Sequence, residues 1–299
     1  MTTTVLVAGA TGDLGQRIVR ELLDLDTRLR VLTRPGSSAA ADLFGGEERI
    51  EVVTAAYTSS RELVEAVAGV DVVVSAVSGT RPVIVDAQRA LLAAAVQAGV
   101  PRFIPSDYSS DYRSIARGSN RNFELRREFA ADVDAADIRA TSILGGAFAD
   151  MLTGEAPVIL FDRHRVLYWS SPDQVLDFTT KDDVARVTAL VAVDEGAPRV
   201  VEIAGDRVTA RDLAASMTEI TGTPFKLQWS GTTGTLAAMS KVARRFSKSD
   251  DTFPAWQGMQ YLVSMYSGQA QLRHVDNARF GDDHVWTTTR DVLAEYLSR

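Results

Sequence analysis

Over its first 150 residues the chain alternates between two hydrophobic periods. Short, nearly continuous apolar or β-branched runs occupy 5–9, 29–33, 50–54, 71–76, 102–105 and 141–144. Between them the spacing becomes helical. Leu14, Ile18, Val19 and Leu22 share one face, as do Ile84, Leu91, Leu92 and Ala95 within 83–99. A third helix is predicted over 120–136. Strands that read as apolar runs and alternate with helices indicate a parallel sheet covered on both faces. With right-handed crossovers the expected fold class is α/β, a doubly wound parallel sheet of the Rossmann type.

Beyond residue 150 the alternation breaks down. Segments 157–161 and 165–169 read as short strands. Residues 181–193 read as a helix, with Thr180 as N-cap and Asp182 and Asp183 in its first turn. A strand follows at 200–204, then a helix over 209–221, capped by Thr209 and ended by Gly222. A helix-like tract covers 234–246, and His164 falls in a predicted hairpin turn. The expected organisation is a nucleotide-binding domain of 1–152 plus about 178–205. A smaller, mostly helical substrate domain takes about 153–177 plus 206–299.

Composition narrows the classes. At 45% hydrophobic and 24% charged the chain is not a disordered one. It has no Cys, which excludes disulfides and thiolate chemistry, and three dispersed His argue against a metal site. A net charge of −7 argues against a nucleic-acid partner while leaving room for a local basic pocket. The N-terminus enters a strand at Val5 with no basic, apolar leader. The longest uncharged run, 252–272, carries Pro254, Gln257, Gln260, Ser264, Gln269 and Gln271 and is too polar to span a membrane. The expectation is a cytoplasmic protein without a membrane partner, a monomer or homodimer acting on a small molecule.

The strongest motif is Gly9, Gly12 and Gly15, with Thr11, Asp13 and Leu14 between them, placed after the first strand and before the first helix. Gly9 makes the tight turn, Gly12 lets a pyrophosphate approach the backbone, and Gly15 lets the helix pack closely. The helix N-terminus supplies free N–H groups. An NAD-selective protein usually carries an acid after the second strand. Here that position is Arg34, followed by Ser37 and Ser38. A guanidinium binds a 2′-phosphate in bidentate fashion, so the expected cofactor is NADP(H).

With these motifs stand the segments 69–75 and 100–106, the helix and strand around Phe123 and 137–148, and the later Asp182, Asp183 and Ile203–Gly205 tract. Together they resemble the NmrA-like/isoflavone reductase-like group of atypical short-chain dehydrogenases, over nearly the whole chain to about residue 225. The resemblance implies an NADP(H)-binding domain followed by a smaller substrate domain. It implies that residues 12–15 carry the pyrophosphate and that Ser75, Ala76 and Val77 run beside the ribose. Ser106, Asp107 and Tyr108 are then near the nicotinamide, and Gly145 begins the wall after the sixth strand.

Two departures from that family bear on function. After the third strand many members have Gly-Asp, where this chain has Ala55, Ala56 and Tyr57; Tyr57 either stacks on adenine or caps the sheet. The family's reductases place a Lys at the start of the helix after the fifth strand, and aligned on Phe123 that position is Asn120, beside Arg121. The only Lys residues are Lys181, Lys226, Lys241 and Lys248, so no Tyr-x-x-x-Lys exists in the nucleotide-binding half. Asn120 cannot shuttle protons but donates a hydrogen bond to a carbonyl or to the ribose, and with Tyr108 and Tyr112 it is an expected catalytic residue. The remaining proton donors are Tyr108, Tyr112, Asp107 and Asp111, with Tyr108 preferred over Tyr112. Arg121, Arg126 and Arg127 read as a solvated helix face, as do Arg244, Arg245 and Lys248. Phe253, Trp256, Tyr261 and Tyr266 read as core, some of them lining an apolar pocket.

The function expected is an NADPH-dependent reductase of a small, largely apolar carbonyl, enone, quinone or imine. The alternative is a non-catalytic NADP(H)-binding redox sensor acting through a protein partner.

Overall fold

The computed structural model describes residues 2–247, 251–281 and 284–299. Lys248 lies outside the described residues. The chain divides into two compact units, one of residues 1–107, 125–143 and 184–201, the other of 108–124, 144–183 and 202–299.

In the first unit the two hydrophobic periods become the expected layers. Strands β1 (Thr4–Ala8), β2 (Arg28–Thr33), β3 (Ile50–Thr54), β4 (Val72–Ser75), β5 (Arg102–Ile104) and β6 (Arg139–Ala140) form one sheet in the order β3-β2-β1-β4-β5-β6. Every pairing in it is parallel. The order reverses between β1 and β4, the switch point at which open sheets of this kind bind ligands.

The helices in chain order are α1 (Asp13–Asp24), α2 (Ala39–Phe44), α3 (Ser60–Val67), α4 (Gln88–Gln97), α5 (Arg121–Ala135) and α6 (Lys181–Val193). α1 buries Gly15, Ile18, Val19 and Leu22, the face read from the spacing, with Leu14 only part-buried. A π-helical turn, Pro82–Ala87, runs into α4. Leu6, Ala8, Val73 and Phe103 pack against Leu63, Val67, Leu91, Phe129 and Val133 on one side of the sheet. Phe103 and Phe129 meet edge to face, 6.3 Å between centroids.

The strand expected at 141–144 is divided. Thr141 N still donates to Phe103 O at 3.1 Å, but Ser142 N donates to Arg199 O at 2.9 Å. Ser142–Leu144 then forms a separate ladder with Val200–Glu202. The exchange of partner moves the chain off the main sheet after only two residues of β6.

The second unit carries short strands and helices. Arg165–Tyr168 pairs antiparallel with Ile159–Leu160 and parallel with Lys226–Trp229. His164 takes φ +49° in the turn before Arg165, as the hairpin reading requires, and its ring meets Phe225 edge-on. α7 (Ala210–Thr221) opens on a Thr209–Asp212 capping box and ends at Gly222, φ +67°. α8 (Thr233–Phe246), α9 (Ala255–Tyr266) and α10 (Thr289–Ser298) follow. The pattern did not announce α9 or α10. α9 lies inside the run noted above only for its polarity. Val166, Trp169, Leu213, Met217, Tyr266 and Leu293 centre this unit's core. Among the described residues no helix is long and apolar enough to cross a membrane.

Phe129 has no exposed surface and anchors the first unit's core. Phe129→Ala should therefore lower stability by about 3–5 kcal/mol. Denaturant unfolding checks this, and a loss well under 1 kcal/mol would show that α5 does not hold that layer.

Candidate functional site

The carboxyl ends of the parallel strands bring together most of the residues singled out in the nucleotide-binding half. At the end of β1, Gly9 takes φ +81°, and a Cβ there would come within 2.6 Å of Ala76 O. At Gly15 a Cβ would come within 2.1 Å of Gly9 O. Both positions need glycine because three stretches of backbone meet there. At Gly12 a Cβ would meet only Gly9 O, at 3.4 Å, and the residue is exposed. Gly12 is also the N-cap of α1, with no side chain to cap it. The first-turn N–H groups therefore have no capping side chain, the arrangement that suits an anion. Asp13 is exposed at this turn and pairs with Arg17 at 2.8 Å, which offsets its charge. Gln16 Nε2 ties the turn down by donating to Thr11 O at 2.9 Å.

At the ends of β2 and β3, Arg34 and Ser37 are exposed, and Arg34 has no carboxylate partner among the described residues. Tyr57 is part-buried and packs against the first unit's core, as Val53 and Val77 also do. Burial pushes its hydroxyl up to about 12, against an opposing pull from nearby Arg34. A cation with no carboxylate partner among the described residues thus lies close enough to Tyr57 to act on its hydroxyl.

At the end of β4, Ser75 is fully buried and its Oγ has no hydrogen-bond partner in the described structure. Ala76 and Val77 follow, part-buried, with Ala76 N donating to Ala8 O. After β5, Ser106 Oγ donates to Val77 O at 2.7 Å, and Ser106 N donates to Gln88 Oε1 at 2.9 Å. These bonds lock the loops after β4 and β5 to each other and to α4. Asp107 is buried and accepts from Ser142 Oγ at 2.7 Å. Ser142 Oγ in turn accepts from Arg199 Nη1 at 2.7 Å, so a guanidinium one hydroxyl away balances the buried carboxylate.

The remaining candidates belong to the second unit. Tyr108 and Tyr112 are both buried. Asp111 is not a candidate donor: its carboxylate holds Arg113 at 2.8 Å and Arg273 at 3.2 Å. Glu202 also pairs with Arg113, and the two carboxylates together raise that guanidinium's pKa. Gly145 is buried and its N donates to Ser109 O at 3.0 Å. The next residue, Gly146, takes φ +70° with Asp177 O where a Cβ would sit.

Asn120 begins α5 and is buried. Its Oδ1 accepts from Phe123 N at 3.2 Å, an N-cap bond, and from Gln257 Nε2 at 2.8 Å. Its Nδ2 donates to Ser264 Oγ at 3.4 Å. Gln260 Oε1 accepts from Arg121 N at 2.9 Å. Gln257, Gln260 and Ser264 fall at i, i+3 and i+7, so one polar stripe of α9 grips the start of α5. The periodicity of these three residues is the signal available in the sequence, beyond the polarity that makes the run unfit to span a membrane.

Arg121 is not part of a solvated face. It donates to Thr252 O at 2.6 Å and lies over the Trp256 ring at 4.6 Å, with Arg244 over the same ring at 5.0 Å. Trp256 and Tyr266 are core, as expected, but Phe253 is exposed.

Comparison with known proteins agrees with this architecture. The NmrA-like family model matches residues 1–238, and the chain belongs to that family. Among curated proteins, Pinoresinol reductase 1 of Arabidopsis thaliana is 32% identical over 201 residues, 62% of this chain and 63% of the relative. A bifunctional pinoresinol-lariciresinol reductase of Linum usitatissimum is 29% identical over 204 residues, 64% and 65% of the two chains. The chain thus matches less than two thirds of these relatives' length. Among solved structures, one described as AtPrR2 with NADP+ and (+)pinoresinol superposes with a TM-score of 0.83, at 23% identity over 99% of both chains. A leucoanthocyanidin reductase–NADPH complex from Vitis vinifera gives 0.82, at 19% identity over 99% of this chain and all of that one. These likenesses show the fold.

Asn120→Ala removes the α5 cap and leaves Gln257 Nε2 buried without an acceptor. The expected cost is about 1–3 kcal/mol. Equilibrium unfolding measures it; a neutral result would mean that the stripe on α9 does not secure α5.

Proposed function

We propose that this protein is an NADPH-dependent reductase that transfers hydride to a small, largely apolar carbonyl, enone, quinone or imine. The observation that carries the reading is the pairing of the glycine cradle with an unpartnered Arg34 beside Tyr57. The cradle fits a pyrophosphate because Gly9 and Gly15 clear the backbone and Gly12 leaves the α1 N-terminus uncapped. Arg34 suits a 2′-phosphate, and the Tyr57 ring offers adenine a face. Asp13, Leu14, Thr11 and Ser37 complete the phosphate side. Ser75, Ala76 and Val77, with Ser106 and Asp107, line the ribose and nicotinamide side, and Gly145 adds to the wall beyond. In this reading the first unit is the cofactor domain and the second supplies the substrate contacts. The curated relatives named as reductases support the same class.

The bound cofactor would supply the hydride. The chain's own residues bind and orient it, and the buried Tyr108 or Tyr112 hydroxyl gives the proton to the developing alkoxide. Asn120 positions α5 and holds no transferable proton.

A second reading has support of its own. Asn120 stands where the family's lysine is expected, and its amide is engaged by Gln257 and Ser264. That favours a protein which binds NADP(H) and reports the redox ratio to a protein partner without turnover.

Titration with NADPH and NADH, followed by a panel of quinones, enones, aldehydes and imines with NADPH absorbance monitored, separates the two. A reductase consumes NADPH with one class, and Tyr108→Phe lowers kcat more than cofactor affinity. Arg34→Ala should weaken NADPH about ten- to a hundred-fold and leave NADH nearly unchanged. Equal loss for both cofactors would remove Arg34 from the 2′-phosphate. Tight binding with no consumption across the panel would favour the sensor.

A further inference from the structure

The loop after β5 is fastened by one side chain, and an irregular helical turn aims that side chain. β5 ends at Ile104, and Pro105 has no N–H. The next N–H, that of Ser106, lies beyond the strand ladder and donates instead to Gln88 Oε1 at 2.9 Å. Both residues are buried, where an unpaired N–H is costly. Gln88 directly follows the π-helical turn Pro82–Ala87. In an α-helix its backbone N–H would donate to Ile84 O. Here that N–H donates to Val85 O, and the side-chain Nε2 of the same residue donates to Ile84 O at 2.7 Å. Ile84 O can only accept and Ser106 N can only donate, so the amide has one allowed orientation. The irregular turn frees a carbonyl that holds one end of the amide, and the other end holds Ser106.

The loop after β4 rests on the same turn. At Gly79 a Cβ would come within 2.7 Å of Val83 Cβ, so glycine lets the loop lie directly on it. Ser106 Oγ closes the triangle by donating to Val77 O at 2.7 Å. π-Helical turns within α-helices are frequent at functional sites. This one is a platform to which both loops are attached, and all of these contacts lie within the first unit.

We infer that Gln88 is a positioning residue for the nicotinamide end of the cofactor site. It acts through Ser106, setting the loop after β5 against Val77 and the loop after β4. The inference rests on the NADP(H) reading, in which these two loops line the ribose and nicotinamide side. The glycine turn and Arg34 take no part in this network, so the adenine and phosphate end is held independently of Gln88.

The test uses the full chain and two probes. The fluorescence lifetime of bound NADPH reports how firmly the dihydronicotinamide is held. 2′,5′-ADP carries adenine and phosphates without that ring, and calorimetry gives its dissociation constant. In the wild type NADPH should gain lifetime on binding. Gln88→Met keeps the length and removes both ends of the amide. It should lose most of that gain while 2′,5′-ADP keeps its affinity within about twofold. Gln88→Glu should lose the gain when ionised, because a carboxylate oxygen then faces Ile84 O. It should recover the gain, relative to wild type at the same pH, as the carboxyl takes up a proton and offers the amide's donor and acceptor again. Should Gln88→Met fail to fold, this recovery within a single protein decides the matter. Parallel loss of both probes, a lifetime unchanged by either substitution, no gain in the wild type, or no recovery in Gln88→Glu overturns the inference. A wild type that binds neither probe overturns the NADP(H) reading first, and the inference with it.

Discussion

Three stretches of backbone converge at Gly9, and the first unit is built around the absence of side chains there. The end of β1, the start of α1 and the loop after β4 approach so closely that a methyl group at Gly9 would overlap Ala76 O, and one at Gly15 would overlap Gly9 O. The close approach brings the α1 N-terminus to the switch point between β1 and β4. It also places Ala76 and Val77 alongside the turn, and through the Ser106–Val77 bond it ties in the loop after β5. A positive end of a helix dipole, a first helical turn without a capping side chain and the carboxyl edge of the sheet are thereby concentrated in one place. Arg34 and Tyr57 extend that edge outward along β2 and β3.

The second unit depends on a different kind of contact. A stripe of three polar residues on α9, buried where an apolar stripe would be ordinary, accepts the Arg121 N–H and holds the Asn120 cap of α5. Such a contact adds little net stability over an apolar one, but it has a single correct register, because a misaligned amide leaves a buried polar group unpaired. The ion-pair cluster of Asp111, Glu202, Arg113 and Arg273 acts alike at the other end of the 108–116 loop. The loop carrying Tyr108 and Tyr112 is therefore held by directional bonds. This is the character expected of a segment whose side chains must be placed accurately rather than merely buried.

Asn120 sets the chemistry available at the start of α5, where the resemblance to the family's reductases implies a lysine. An ammonium would present a mobile, titratable charge. The asparagine presents a neutral amide whose oxygen is committed to a helix cap and a glutamine.

The layers of the first unit and its glycine turn were legible in the sequence. Each rests on local rules: the period of apolar positions, the glycines after a strand, the handedness of crossovers. The faces of α1 and α4 and the caps of α7 were legible for the same reason. Other features arise where distant segments meet, and no local rule reaches them. The division of 141–144 came from competition between Phe103 O and Arg199 O for neighbouring N–H groups. The commitment of Asp111 to two arginines and the burial of Arg121 against Trp256 came from residues far apart in sequence. The run 252–272 could be seen to be uncharged, yet its glutamines acquired their meaning only when α9 was laid against α5. A polar residue declares its partner only after the chain has brought that partner within about 3 Å of it.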